Sequence, residues 1–167
     1  MQRVASLDCQ SSDSWLSKWR GANCREVCDA LGYRFDSACI WVGSYAAAIA
    51  VEIGLAGDIP GVSYRSMPAR LGAGPLLVHK DALVHYDHKL TAALENCART
   101  AGITIQHGVF GSFGSDSSAF MKADIPAAMV AFPARYTHTP FETGHIGDIE
   151  ALVEWLCAFV RSGLKTG

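Results

Sequence analysis

The chain has 167 residues, half of them hydrophobic, which is enough for one compact domain with a sizeable core. Its formal net charge of -2 gives no basic field for nucleic acid or an anionic membrane surface, so we expect neither as a partner. The longest apolar run, from Tyr45 to Val51, is too short to cross a bilayer.

The first 44 residues show no sustained structural period, and we assign no fold to this segment. A short helix from Cys24 to Leu31, with Gly32 as its stop signal, is the one element predicted there. The N-terminus lacks the apolar core of a secretory signal, which favours a cytoplasmic location. The six cysteines form no Cys-x-x-Cys pair, so neither a disulfide framework nor a zinc knuckle is expected.

From residue 45 to residue 163 the sequence predicts one domain, followed by a tail at 164–167. Its predicted elements are strands over 46–53, 74–79, 103–107 and 125–132, and helices over 87–101, 119–123 and 148–162. Asp87 is the predicted N-cap of the first of these helices and Gly102 its terminator. The strand over 103–107 alternates as an exposed edge strand does. Strands that alternate with helices predict an α/β fold.

Three short segments occur in the order and spacing found in one enzyme family. They are Ala56 to Gly61, Gly114 to Asp116, and Arg135 to Pro140. With them, the chain from about Ala46 to about Ser162 resembles the C-terminal part of the catalytic domain of peptidase family M42. This family of dinuclear metalloaminopeptidases includes tetrahedral and glutamyl aminopeptidases and proteins labelled endoglucanase. The resemblance implies part of a three-layer α/β/α, zinc-peptidase-like domain that hydrolyses N-terminal peptide bonds.

His138 is the first metal ligand that the resemblance implies. In the family this histidine binds one of two divalent ions, usually zinc or cobalt, from a motif close to Arg-Tyr-x-His-Ser-Pro. Here Thr139 replaces the serine and keeps a hydroxyl group beside the ligand. Without the resemblance, a lone histidine after a buried strand would be interpreted as a loop residue hydrogen-bonded to backbone.

Glu52 is the second implied ligand, at a position where most family members have an aspartate that binds the other ion. Glutamate keeps the charge and the donor oxygens but reaches one methylene further. The alternative interpretation is a solvated carboxylate that closes the strand. Asp58 is a competing carboxylate, but Asp-Ile-Pro-Gly is typical of a turn.

The remaining motif residues are expected to support the site without binding metal. This group consists of Asp116, Arg135, Tyr136 and Thr139. Asp116 belongs to a Gly-Ser-Asp segment that resembles Gly-Thr-Asp of the family. Glu142 and His145 follow closely but match no compact zinc motif, so we interpret them as outer or solvated residues.

The family machinery also includes a His-x-Asp ligand pair, a bridging aspartate and two adjacent glutamates, the first of which is the general base. Residues 1–45 supply none of these. Because a hydrolytic zinc ion needs about three protein ligands, we expect a truncated chain that is inactive or nearly so alone, although peptides are the substrate of the complete enzyme. The alternative is a non-catalytic subunit or remnant that forms a homo-oligomer through apolar surface left uncovered.

Overall fold

A mixed sheet of five strands forms the centre of the part of the molecule that the computed structural model describes, residues 47–162. The strands are β1 (Ala48–Leu55), β2 (Leu76–Lys80), β3 (Gln106–Val109), β4 (Ala127–Arg135) and β5 (Thr143–Gly144), and the helices are α1 (His88–Ala101), α2 (Ser117–Lys122) and α3 (Ile146–Ser162). The helix predicted over Cys24–Leu31 lies outside these residues. None of the three helices is long and apolar enough to cross a membrane.

The strand order in the sheet is β1-β4-β2-β3, with β5 paired to the end of β4. β1 and β4 run parallel, in a register that places Glu52 opposite Ala131. β2 is antiparallel to β4 and parallel to β3, so β3 forms one edge of the sheet as its alternating sequence predicts. The predicted α/β fold is therefore confirmed.

Helices cover both faces of the sheet and give it three layers. On one face, α1 and α3 bury an apolar core that includes Ile49, Leu77, Leu90, Leu94, Val130, Leu152, Trp155 and Phe159. The indole Nε1 of Trp155 donates to the carbonyl oxygen of Leu94 at 2.9 Å, which joins the two helices. On the other face, a second cluster holds Leu76, Val78, Tyr86, Phe110 and Met129, and α2 packs beside it on β4 and β1.

The two ends of α1 match the sequence prediction. Asp87 caps the first turn by accepting a hydrogen bond from the backbone N–H of Leu90 at 2.8 Å. Gly102 adopts a left-handed conformation with φ of 70°, and the N–H of Ile103 donates to the carbonyl of Ala98. These contacts satisfy backbone groups that a helix leaves unpaired at its ends.

Two predicted strand boundaries, the start of β3 and the end of β4, differ from the structure by three residues, and the other strand boundaries differ by one or two. β3 begins at Gln106 instead of residue 103, because the Ile103 N–H is used to close α1. β4 continues past Phe132 to Arg135, although Pro133 has no N–H to donate. Pairing resumes beyond the proline, because the carbonyl of Ala134 accepts from the N–H of Ala56 and β5 pairs with the same residues.

The buried carboxylate of Asp148, in the first turn of α3, anchors the loop that leads into β2. It accepts hydrogen bonds from the backbone N–H groups of Gly72 at 2.8 Å and Gly74 at 2.9 Å. Gly74 has φ of 96°, and a Cβ atom there would lie 2.2 Å from the carbonyl oxygen of Thr104. Glycine is therefore required at this position, because both its conformation and the available space exclude a side chain.

Candidate functional site

Glu52 lies within β1, three residues before the strand ends at Leu55, and not at the strand end as the sequence suggested. Its side chain is half-buried, and burial raises the pKa of its carboxyl group above the ordinary value of 4.5. The neighbouring carboxylate of Asp116 raises this pKa further, while the Asp116 backbone N–H offsets part of the effect. Two carboxylates that repel each other in a partly desolvated position favour a bound proton or cation.

A buried network holds the loop that carries Asp116. Asp81 is inaccessible to solvent, and its carboxylate accepts from the Tyr86 hydroxyl at 2.5 Å and from the backbone N–H of Ser115 at 3.1 Å. The Tyr86 hydroxyl also lies 2.8 Å from Oγ of Ser115. Asp81 and Tyr86 therefore fix the position of the loop directly before Asp116, beside Glu52.

Sequence reasoning missed Asp81 and Tyr86. The local contacts of Asp81 are of a kind that a sequence can predict. Its carboxylate accepts from the N–H groups of Leu83 and Val84, in a turn typical of aspartate. Its contact with Ser115 joins residues far apart in the sequence, and no pattern in a single sequence reports such a pairing.

His138 lies on an exposed turn just beyond the end of β4. His138 and Tyr136 both adopt left-handed backbone conformations, with φ of 64° and 63°, which are uncommon for residues other than glycine. The turn is closed by the Thr139 hydroxyl, which donates to the carbonyl of Tyr136 at 2.7 Å, and by Glu142, which accepts from the His138 backbone N–H at 2.9 Å. Within residues 47–162 nothing hydrogen-bonds the His138 imidazole, so both ring nitrogens are available to a ligand.

Arg135 contacts Asp58 and not the candidate ligands. Its Nε donates to Oδ1 of Asp58 at 2.9 Å, and its terminal nitrogen contacts the other carboxylate oxygen. This arginine holds the pKa of Asp58 below the ordinary value of 3.8, so the carboxylate is already neutralised. Asp58 is therefore a poor competitor for a metal ion, and the ion pair instead ties the loop after β1 to the end of β4.

Two histidines outside this region form a second group of titratable side chains. Nε2 of His79 lies 2.8 Å from Nδ1 of His107, and both rings line an open cavity of about 280 Å³ together with Tyr64 and Arg65. The ring planes are within 11° of each other and the centroids are 5.1 Å apart, as expected for rings joined edge to edge by one N–H···N hydrogen bond. Because the two nitrogens point at each other, they leave no room for a metal ion between them.

The sequence predicts that His79, His85 and His88 are surface residues, and that His85 and His88 can share one face of a helix. His85 and His88 are exposed, as the sequence predicts for surface residues. They do not share a helical face, because His85 precedes α1 and forms an isolated bridge with Lys80. His79 is half-buried and is therefore not the surface residue that the sequence suggested.

The structure brings Glu52 and Asp116 together, and it places His138 separately, on the turn after β4. Residues 47–162 contain no group of three or more His, Cys, Asp or Glu side chains able to hold a metal ion. The carboxylate pair and the unpartnered imidazole are of the donor types that zinc prefers, but they are too few for a closed site. The described residues therefore fit part of a metal centre and do not complete one.

Comparison with known proteins gives a consistent set of relatives. The model of the M42 glutamyl aminopeptidase family matches residues 31–155. A curated relative from Acetivibrio thermocellus that carries an aminopeptidase name is 32% identical over 116 residues, which are 66% of this chain and 34% of its own length. A second relative with such a name, from Escherichia coli K12, is 29% identical over 68% of this chain and 33% of its own length. The chain thus spans about a third of the curated relatives it matches.

Solved structures show the same fold. A TET aminopeptidase from a marine sediment Thaumarchaeota archaeon superposes with a TM-score of 0.67 at 24% identity, over 70% of this chain and 33% of that one. The TET1 peptidase of Pyrococcus horikoshii superposes with a TM-score of 0.60 at 30% identity, over 68% of this chain and 32% of that one. The second protein is described as able to assemble into a tetrahedron or a large octahedral shell.

Proposed function

Because the chain belongs to the M42 glutamyl aminopeptidase family, we propose that it forms the C-terminal part of a metal-dependent aminopeptidase catalytic domain. In this proposal Glu52 and His138 each contribute one ligand to a pair of divalent ions, zinc or cobalt. The observation that supports it best is the half-buried Glu52 carboxylate beside Asp116, since such a pair is stabilised by a cation. The second ligand is supported by the imidazole of His138, to which no group of residues 47–162 is hydrogen-bonded.

The substrate we propose is the N-terminal peptide bond of a peptide, as the aminopeptidase names of the relatives suggest. When bound, a pair of divalent ions supplies polarisation of the peptide carbonyl and an acidified water. In this proposal Glu52 and His138 contribute the ligands. The Asp81–Tyr86 network holds the loop that places Asp116 beside Glu52. The Arg135–Asp58 pair holds the end of β4, just before the turn that carries His138. One ligand for each ion does not hold a catalytic pair. We therefore expect little or no peptidase turnover from this chain alone.

The test is calorimetric titration of the purified full chain with zinc and, separately, with cobalt. We expect weak binding that becomes several-fold weaker in Glu52→Ala and in His138→Ala. His85→Ala is the matched control, because His85 is an exposed histidine outside the site, and binding should not change in it. Equal affinity in all four proteins would refute the ligand assignment.

Turnover is measured in parallel with an aminoacyl chromogenic substrate and excess metal. A rate at background agrees with an incomplete centre. A measurable rate that His138→Ala abolishes would show that this chain alone completes the centre, and would overturn the expectation of an inactive chain.

An alternative proposal is a non-catalytic subunit that assembles with copies of itself. It is favoured by the 30% identity to a TET1 peptidase that is described as forming large shells. Sedimentation velocity over a range of concentrations separates the two proposals, because a defined oligomer without metal binding supports the subunit. A monomer that binds metal through Glu52 and His138 supports the catalytic part.

A further inference from the structure

Within residues 47–162, exposed apolar side chains lie on β1 and on one flank of α3, and we call the surface they form the groove. Its floor consists of Val51 and Ile53, which are both 41% exposed. They pair in register with Val130 and Phe132, and therefore lie on the face of the sheet that carries α1 and α3. Because α3 packs over β4 and against α1, it does not cover this half of β1.

The wall of the groove is one flank of α3. Ile146, Val153 and Val160 are seven residues apart, so they form one stripe along the helix. They are 67%, 55% and 48% exposed. Trp155 faces α1, to which it is hydrogen-bonded, and Val153 lies about 200° from it around the helix axis at 100° per residue. The stripe is therefore on the flank of α3 away from α1. Because α1 packs on β2 and β4, α3 packs on β4, and β1 lies on the other side of β4 from β2, this flank faces the β1 side of the sheet.

The floor and the wall are both exposed apolar surfaces, on a domain whose remaining core is well buried. Exposed apolar surface of this kind is commonly covered by another element or by a partner. Neither the helices nor the strands within residues 47–162 cover it, and the five residues named for it carry no polar group in their side chains.

We propose that residues 31–46 of the same chain cover this groove. These residues lie outside the described part of the chain and join it at Ala47, directly before the strand that forms the floor. The match to the family model covers residues 31–155, so the segment and the groove are matched by the same family model.

The length and composition of the segment agree with this assignment. The wall from Ile146 to Val160 is about 21 Å long at 1.5 Å per residue, and a segment of this size can extend over about 50 Å. The segment is rich in large apolar side chains, namely Leu31, Tyr33, Phe35, Ile40, Trp41, Val42 and Tyr45. Its charged residues are Arg34 and Asp36 alone. Covering the groove would remove apolar surface from water on both sides.

The experiment is limited trypsin digestion of the full chain, because Arg34 is the one trypsin site within residues 31–46. In the parent chain we expect slow cleavage at Arg34, which mass spectrometry of the fragments identifies. Val153→Glu places a charge in the middle of the wall and should speed this cleavage about ten-fold or more. Val160→Glu should act in the same direction.

The matched control is Ala93→Glu, which places the same charge on an exposed position of α1 away from the groove. It should leave the cleavage rate at Arg34 unchanged. Circular dichroism shows whether each variant keeps the fold, and the exposure of Val153 makes unfolding by that change alone unexpected.

Two outcomes overturn the proposal. The first is rapid cleavage at Arg34 that is the same in the parent chain and all three variants, because the segment would then not be held in the groove. The second is a dimer in sedimentation velocity that Val153→Glu dissociates without a change at Arg34, because the groove would then be covered by a second copy.

Discussion

Arg135 and Asp58 form a two-point ion pair across the carboxyl ends of β1 and β4, immediately before the turn that carries His138. Replacement of Asp58 by asparagine removes the charge and one acceptor, while it keeps the size of the side chain. We expect a fall of a few degrees in Tm, because both partners are partly exposed and solvent weakens such pairs. Differential scanning calorimetry at low and high salt measures it, and an effect that does not shrink with salt would contradict this origin.

The same ion pair predicts that its contribution to the stability of the fold is lost in acid. Arg135 lowers the pKa of Asp58 below 3.8 in the folded protein, so the pair stabilises the fold above that pH. Its contribution is lost as the pH falls through the lowered pKa. The difference in Tm between the parent chain and Asp58→Asn should therefore disappear in strong acid. A constant difference down to the lowest pH at which the chain stays folded would argue against the ion pair.

Asp81→Ala should lower the free energy of unfolding far more than a surface substitution does. The change leaves the Tyr86 hydroxyl and three backbone N–H groups without their buried acceptor, which costs about 3 kcal/mol or more. Tyr86→Phe removes only one hydroxyl and should cost about 1 kcal/mol. Urea denaturation followed by circular dichroism gives both values, and equal losses would show that the network does not centre on Asp81.

Gly74→Ala tests the turn before β2, and Gly102→Ala is the comparison at a glycine that also has positive φ but has open space around it. A Cβ atom at Gly74 would lie 2.2 Å from the Thr104 carbonyl oxygen, whereas one at Gly102 meets nothing within 4 Å. Both glycines have positive φ, so each change costs about 1–2 kcal/mol of backbone strain. Gly74→Ala should cost clearly more than Gly102→Ala in urea denaturation. Similar costs would mean that the loop moves to accommodate the methyl group.

His79 predicts a pH dependence of stability near neutrality. Burial lowers the pKa of His79 below 6.5 in the folded protein, and the neighbouring His107 lowers it further. Well above pH 6.5, His79 is neutral in both the folded and the unfolded chain. Below pH 6.5, His79 binds a proton in the unfolded chain more readily than in the folded protein. The free energy of unfolding should therefore fall as the pH decreases from about 7 towards 5.

His79→Gln should flatten this decrease, and His85→Gln, an exposed control, should not. Urea denaturation at several pH values provides the comparison. A decrease that is unchanged in His79→Gln would assign the effect to other groups.

Local patterns were enough to predict α1, because its cap, its apolar stripe and its glycine terminator all lie within one segment. The ends of β3 and β4 were mispredicted because contacts outside the strands set them. The N–H of Ile103 donates to a carbonyl of α1 and is therefore not available to β3. β4 continues through Pro133 because it pairs with β1 and β5. Such competition between neighbouring elements is not visible as a period in the sequence.

The candidate site depends even more on contacts that a single sequence does not show. Glu52, Asp116 and His138 could be nominated only because short motifs resemble a family, and the spatial approach of Glu52 to Asp116 required the structure. The sequence indicates only a turn at Asp58, whereas the contact of Asp58 with Arg135 depends on the meeting of two strand ends. Buried polar partners such as Asp81 leave no periodic signal, since their role is set by groups distant along the chain.

The parallel pairing of β1 with β4, which aligns Ala48 with Ala127, also has a consequence for folding kinetics. Between these strands the chain must form β2, α1, β3 and α2, so the pairing requires closure of the longest loop in the sheet. The unit β2-α1-β3 closes over a much shorter stretch and can form early. The segments that carry Glu52 and His138 are therefore expected to come together in a late, slow step, after most of the scaffold between them has formed.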